Sequence, residues 1–192
     1  MNDHHLPLQV SPRPADGANA AERQWFVAYH EAGHAVVDYL FGHAVESVTI
    51  EPDGEVGGCV GVDLEGINEI ANGVDEARKQ FTFERLVMSA LAGEIAQRKF
   101  APESVDPDHA AGDRHQAMNY LEELDACTDE IREQYWRLLE LKATAILERN
   151  WQGVVGVATE LVRRRSLTWD ELREAYQAAY ATETRPALSV MP

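Results

Sequence analysis

The sequence predicts an α+β fold, mostly helical with one small β-sheet. Two observations predict it. From residue 75 almost to the C-terminus, apolar residues recur at helical spacing in one stretch after another. Only two short runs, residues 45–50 and 59–64, carry strand-like alternation, and Pro52-Asp53-Gly54 supplies turn chemistry between them. A chain of 192 residues has room for one hydrophobic core, which the helices and the sheet are expected to share.

Residues 1–20 are rich in Pro, Asp, Asn and Gly, lack an apolar period, and read as a disordered arm; His4 and His5 within it are given no function. The folded domain is expected over residues 21–185, with a flexible tail over 186–192. Its first helix covers about residues 21–41, with Trp25, Phe26, Val36, Val37 and Leu40 at helical spacing and Gly42 as the stop. Val45, Ser47, Val48 and Ile50 make the first strand; Cys59, Val60, Val62 and Leu64 make the second. Gly57 and Gly58 open that second strand and would let another backbone approach closely.

Residues 65–74 read as a loop. Asp75 is placed to cap a helix that buries Phe81, Phe83, Leu86, Val87, Leu91 and Ile95. Pro102 and Pro107 bracket an acidic loop, and a helix over residues 108–124 follows. The next helix, residues 129–149, lines Ile131, Tyr135, Leu138, Leu139, Ile146 and Leu147 along one face. Residues 151–165 form a further helix, and Thr168 with Glu171 makes a capping box for the last one.

Charge excludes some functions. Thirty-three acidic residues against 17 basic ones give −16, a surface that repels phosphate backbones and anionic headgroups, so neither nucleic acid nor a membrane surface is an expected partner. Cys59 and Cys127 form no disulfide framework and read as buried thiols. No apolar run approaches the roughly 20 residues that span a bilayer, and no secretory h-region is seen near Met1. The expected setting is cytoplasmic, without membrane insertion.

The informative stretch is His30-Glu31-Ala32-Gly33-His34. Histidines four apart on a helix share a face and reach one metal ion. Neutral imidazoles suit Zn²⁺, and a catalytic zinc takes three protein ligands and leaves a fourth position for water. Glu31, beside the first histidine, is placed to take a proton from that water. Such a pentapeptide also arises on helices that hold no metal. Gly33 costs about 1 kcal/mol against Ala inside a helix, so something local favours the missing side chain; a crowded metal site is one such reason. A third ligand must come from beyond this helix, and Glu94, Asp106, Asp108, His109, Asp113 and His115 are candidates. Each has a plainer role: an i,i+4 pair with Arg98 for Glu94, helix capping for Asp106 and Asp108, simple exposure for the others.

Residues 27–37, Val-Ala-Tyr-His-Glu-Ala-Gly-His-Ala-Val-Val, closely resemble the metal-binding helix of the FtsH-like (M41) family of zinc peptidases. Val48-Thr49-Ile50 followed by Gly57-Gly58 is similar to the strand pair after that helix, and Leu91-Ala92-Gly93-Glu94-Ile95-Ala96 to the family's Gly-rich helical segment. Gly112-Asp113 falls where the family supplies an aspartate as third zinc ligand, and residues 166–172 resemble its closing turn. The resemblance covers about residues 22–180. It implies a zinc metalloendopeptidase with His30, His34 and Asp113 as ligands and Glu31 as base. It also implies that Gly57, Gly58, Cys59 and Val60 edge a groove that binds polypeptide substrates as extended strands.

The chain departs from the family pattern where paired glycines, an arginine and an acidic pair become Ala92-Gly93-Glu94 and Gln97-Arg98. It also lacks a phosphate-binding Gly-x-x-x-x-Gly-Lys-Ser/Thr loop, so peptide hydrolysis by this chain alone is expected to be independent of ATP. An AAA+ ATPase acting in trans and a homo-oligomer are the further partners the resemblance implies. Two alternatives stand beside the peptidase: a non-catalytic binding or regulatory module of the same fold working with an ATPase, and a zinc peptidase of another clan with Glu94 as ligand.

Overall fold

The computed structural model describes residues 8–9, 18–43, 45–51, 59–62, 76–105, 111–124 and 128–181. Helix α1 (Ala20–Phe41) starts where the Asn19 side chain accepts hydrogen bonds from the backbone N–H groups of Ala21 and Glu22, while Glu22 accepts from that of Asn19. It stops at Gly42, whose φ of 73° lets its N–H reach the carbonyls of Asp38 and Tyr39. Strands β2 (Val45–Thr49) and β3 (Cys59–Val62) follow. Helix α2 (Glu76–Phe100) leads through a 3₁₀ turn at Pro102–Ser104 towards α3 (Ala111–Glu122). Then come α4 (Asp129–Arg149), capped by Thr128, α5 (Trp151–Arg164), strand β4 (Ser166–Thr168) and α6 (Trp169–Ala181). The fold is α+β and mostly helical, as the sequence predicts.

The sheet is larger than the strand pair that the sequence predicts. Its order is β1-β3-β2-β4, every pairing antiparallel, with β1 (Leu8–Gln9) contributed by the segment read as an arm. Strand β4 pairs with β2 through Val48 and Leu167, whose side chains are both fully buried. Thr168 therefore serves twice, as the end of β4 and as the residue whose hydroxyl and N–H face the Glu171 carboxylate of α6. Strand β3 is paired on both sides: Val48↔Val60 and Thr49↔Cys59 with β2, and Leu8↔Val60 and Gln9↔Cys59 with β1.

Helices α1 and α2 form the centre. Every residue from Ala28 to Asp38 and from Leu86 to Gln97 is buried, so neither stretch has a solvent face. Helix α1 packs on α2 and α5, and α3 and α4 pack on α2 as well. Phe100, at the end of α2, stacks on Tyr29 with ring centroids 3.8 Å apart. The apolar faces read from the sequence hold only in part. Phe81 is 54% exposed because the first turns of α2 overhang the core, and its ring lies against the Arg85 guanidinium. Helix α4 seals the core along Leu139, Ala143 and Leu147, four residues apart; Leu138 lies off that line and is exposed, and Ile131, two steps earlier on it, is exposed in the first turn of the helix. Asp75 lies outside the described residues. Among the described residues, no helix is long and apolar enough to cross a membrane.

Gly33 corrects one reading. A Cβ there would lie 2.5 Å from the Ala92 carbonyl oxygen and 2.7 Å from the Ala96 Cβ. The missing side chain serves the close crossing of α1 on α2, not the space around a metal. Gly33→Ala gains roughly 1 kcal/mol of helix propensity, yet pressing a methyl into α2 backbone is expected to cost more, with a net loss of about 1–2 kcal/mol. Urea unfolding measures it; a variant as stable as the wild type would show that Gly33 does not set the crossing.

Candidate metal centre

The helical period brings His30 and His34 to one side of α1, and α2 fixes which ring nitrogen each presents. The His34 Nδ1–H donates to the Ser89 carbonyl at 2.7 Å, and a carbonyl only accepts. The His30 Nδ1–H donates to Gln97 Oε1 at 3.0 Å. The Gln97 amide is itself oriented, since its Nε2 donates to the Ser104 carbonyl at 3.0 Å and to Ser104 Oγ at 3.1 Å. With both Nδ1 atoms engaged as donors, it is the Nε2 atoms that face each other, and each offers a lone pair there whenever its imidazole is neutral.

Asp113, in the first turn of α3, completes the group. Its Oδ2 lies 2.9 Å from His30 Nε2 and 3.2 Å from His34 Nε2, and the two Nε2 atoms are 3.0 Å apart. All three side chains are buried. Ligands about 2.0–2.1 Å from one tetrahedral zinc are about 3.3 Å apart, so this near-equilateral triangle matches the size of a shared ion. Gly93 of α2 adds a second test of fit. A Cβ at Gly93 would lie 2.2 Å from His34 Nε2 and 2.6 Å from His30 Nε2. Glycine thus keeps clear the point on which the lone pairs converge.

Glu31 is fully buried, and neither of its carboxylate oxygens has a hydrogen-bond partner. Burial pushes its carboxyl up to about 8, with His34 opposing and Asp113 adding to the rise. For His34, burial alone would lower the pKa, but the Asp113 carboxylate, the Glu31 charge and the Ser89 carbonyl raise it to about 9. Burial works to raise Asp113 too, and the two histidines hold it down at about 2. The site therefore attracts positive charge. A plain buried His–Asp ion pair accounts for part of this. One proton on His34 would satisfy a single contact to Asp113, leaving Glu31 without a partner. His30, His34 and Asp113 could instead hold one metal ion, and among the described residues they are the group arranged to do so.

The remaining candidates sort cleanly. Glu94 is 6% exposed, but Arg114 donates to both of its oxygens at 2.7 and 2.8 Å and Arg98 donates to Oε1 at 3.0 Å. His115 is exposed. Asp106, Asp108, His109, Gly57 and Gly58 lie outside the described residues. Cys59 and Val60 lie in β3, on the edge paired with Leu8–Gln9. Sequence reasoning did not find Ser89, Gln97 or Gly93 as parts of the centre. Only their spacing of four along one helix, matching that of the histidines, could have pointed to them. No protein-family model matches the chain, and no curated protein matches it.

Gly93→Ala places a methyl where the three ligand atoms converge. Since it acts on the ligand atoms themselves, divalent-metal affinity is expected to fall by at least the about 100-fold upper range for outer-shell changes. Equilibrium competition with a chromophoric chelator reads this, with circular dichroism confirming the helices. Affinity equal to the wild type would rule out the triangle as the metal site.

Proposed function

We propose that the chain is a zinc-dependent endopeptidase that hydrolyses peptide bonds of unfolded or extended polypeptides, with His30, His34 and Asp113 as ligands and Glu31 as general base. One observation carries the reading: three potential ligand atoms converge within 3.2 Å of one another beside a buried carboxyl group that has no hydrogen-bond partner. Three protein ligands are the number a catalytic zinc takes, whereas structural sites close with four. The resemblance of residues 27–37 to the FtsH-like (M41) metal-binding helix points the same way.

When bound, zinc supplies a Lewis acid for the scissile carbonyl and brings the pKa of water towards about 7. The chain's own residues do the rest. Ser89 and Gln97 hold the two imidazoles in the tautomer that leaves Nε2 free. Glu31 takes the proton of the attacking water on its carboxylate and returns it to the leaving amine. A polypeptide bound as a strand along β3 would take the edge where Leu8–Gln9 is paired, so it displaces that segment or extends past it. A cytoplasmic setting and an ATPase that unfolds substrates in trans belong to this reading.

The burial of all four side chains favours a second reading, a binding or regulatory module that keeps the ion for stability. The experiment measures zinc content and casein hydrolysis for the wild type and Glu31→Gln. The variant is expected to keep about one zinc per chain and lose hydrolysis by about 10²–10⁴-fold. Equal activity in both would remove Glu31 from the mechanism; zinc without hydrolysis in the wild type would favour the module. A stable globular domain, which costs about 5–15 kcal/mol to open, is expected to resist cleavage under conditions that degrade casein. Gel electrophoresis of both digests checks this.

A further inference from the structure

We propose that Glu94 and Arg114 are positioning residues, whose two-point ion pair sets the rotation of α3 so that Asp113 presents its carboxylate to His30 and His34. The proposal rests on the metal-centre reading above and deepens it.

Helix α3 is twelve residues long and fully buries only Asp113, Ala117 and Leu121, one residue per turn along a single line, with Tyr120 partly buried against the core beside it. A seam that narrow holds the rotation of a helix about its axis weakly. The centre tolerates little rotation. An oxygen about 5–6 Å from the axis moves about 1 Å when the helix turns by about 10°, enough to break the contacts of 2.9 and 3.2 Å. A directional contact off that line would fix the angle more closely than the apolar seam with Tyr120 does.

Arg114 is the next residue, about 100° further round the helix. Its Nε donates to Glu94 Oε2 at 2.7 Å and its Nη2 to Oε1 at 2.8 Å, the two-point geometry that fixes direction as well as distance. Glu94 follows Gly93, the residue against the two imidazoles. Two neighbouring residues of α2 thus meet two neighbouring residues of α3: Gly93 lies at the metal triangle with Asp113, and Glu94 pairs with Arg114. The fixed end of this clamp is firm. Glu94 sits in the fully buried stretch of α2, and Arg98 joins it at 3.0 Å to Glu140 of α4 at 3.1 Å. Both oxygens of Glu94 are engaged, which gives this carboxylate a reason to be buried other than direct metal ligation.

The test is a double-mutant cycle on the full chain, read as zinc affinity by chelator competition. Arg114→Gln is expected to bind zinc about 10–100-fold more weakly, the range for groups that orient a ligand, with little change in the unfolding midpoint of the metal-free protein. Arg114→Lys should fall between, because an ammonium cannot reproduce the two-point fork. Glu94→Gln should match Arg114→Gln, and the double variant should lose no more than either alone. Wild-type affinity in Arg114→Gln overturns the clamp and leaves the metal centre standing. Loss of binding in Glu94→Gln but not in Arg114→Gln overturns it in favour of Glu94 as a ligand. Should Arg114→Gln unfold, Arg114→Lys decides, and wild-type affinity there overturns the proposal. A wild type that binds no zinc overturns both the clamp and the function proposed above.

Discussion

The close crossing of α1 on α2 is the constraint from which the centre follows. Gly33 lets the Ala92 carbonyl and the Ala96 methyl approach α1 backbone, and the same approach sets two rows of side chains against each other. His30, His34 and Asp38, four apart on α1, lie along Ser89, Gly93 and Gln97, four apart on α2. The rows run in opposite directions. Gln97 receives His30, Gly93 lies against both imidazoles, and Ser89 receives His34 through its carbonyl while its hydroxyl donates to Asp38 at 2.6 Å. A crossing wider by one methyl would lengthen all of these contacts together. His30 and His34 sit on the fully buried stretch of α1, where packing locks their rotamers more firmly than a loop could.

Burying so many polar groups in one core is tolerable only because nearly all are matched. Asp38 accepts from Ser89 Oγ and from His43 Nδ1 at 2.8 Å; Glu94 is met by Arg98 and Arg114; Gln97 is held by His30 and Ser104. Glu31 breaks the pattern, since neither of its oxygens is bonded. An unpaired buried carboxylate is costly, and packing alone gives no reason for one here. Glu31 neighbours His30 in the chain, beside the triangle of His30, His34 and Asp113.

How far the sequence could be read follows from where each signal lives. That His30 and His34 meet was legible because a helix converts a spacing of four into a shared face, and Glu31 was read from its place beside the first of them. Helix α4 was legible to the residue because its cap and its period are both local. The location of Asp113 was not legible in that way: 79 residues separate it from His34, and only the family resemblance singled it out from among the acidic residues beyond α1. Gly33 was misread for the same reason, its packing partners Ala92 and Ala96 being distant in the chain and chemically plain. Strand β4 escaped because Ser166-Leu167-Thr168 is too short to show alternation and exists through its pairing with β2. Periodicity also marked Phe81, Ile131 and Leu138 as apolar positions without showing which of them the tertiary structure covers.

The charge at the centre bears on which ion suits it. Both histidines are oriented by neutral acceptors, an amide oxygen and a backbone carbonyl, so the negative charge around the triangle comes from Asp113 and Glu31. Two carboxylates call for two positive charges. In the metal-free protein protons supply them: burial raises Glu31 to about 8, and Asp113 beside it lifts His34 to about 9 despite the desolvation that works against it. A divalent cation brings the same two charges to a point that the missing Gly93 side chain keeps clear, and frees both groups of the need to hold a proton. A monovalent ion would leave one carboxylate unbalanced. A carboxylate in place of Gln97 would leave a dication with one negative charge in excess. In this chain the neutral Gln97 side chain orients His30 without adding charge, so the two carboxyl groups of Asp113 and Glu31 are what a cation there would have to balance.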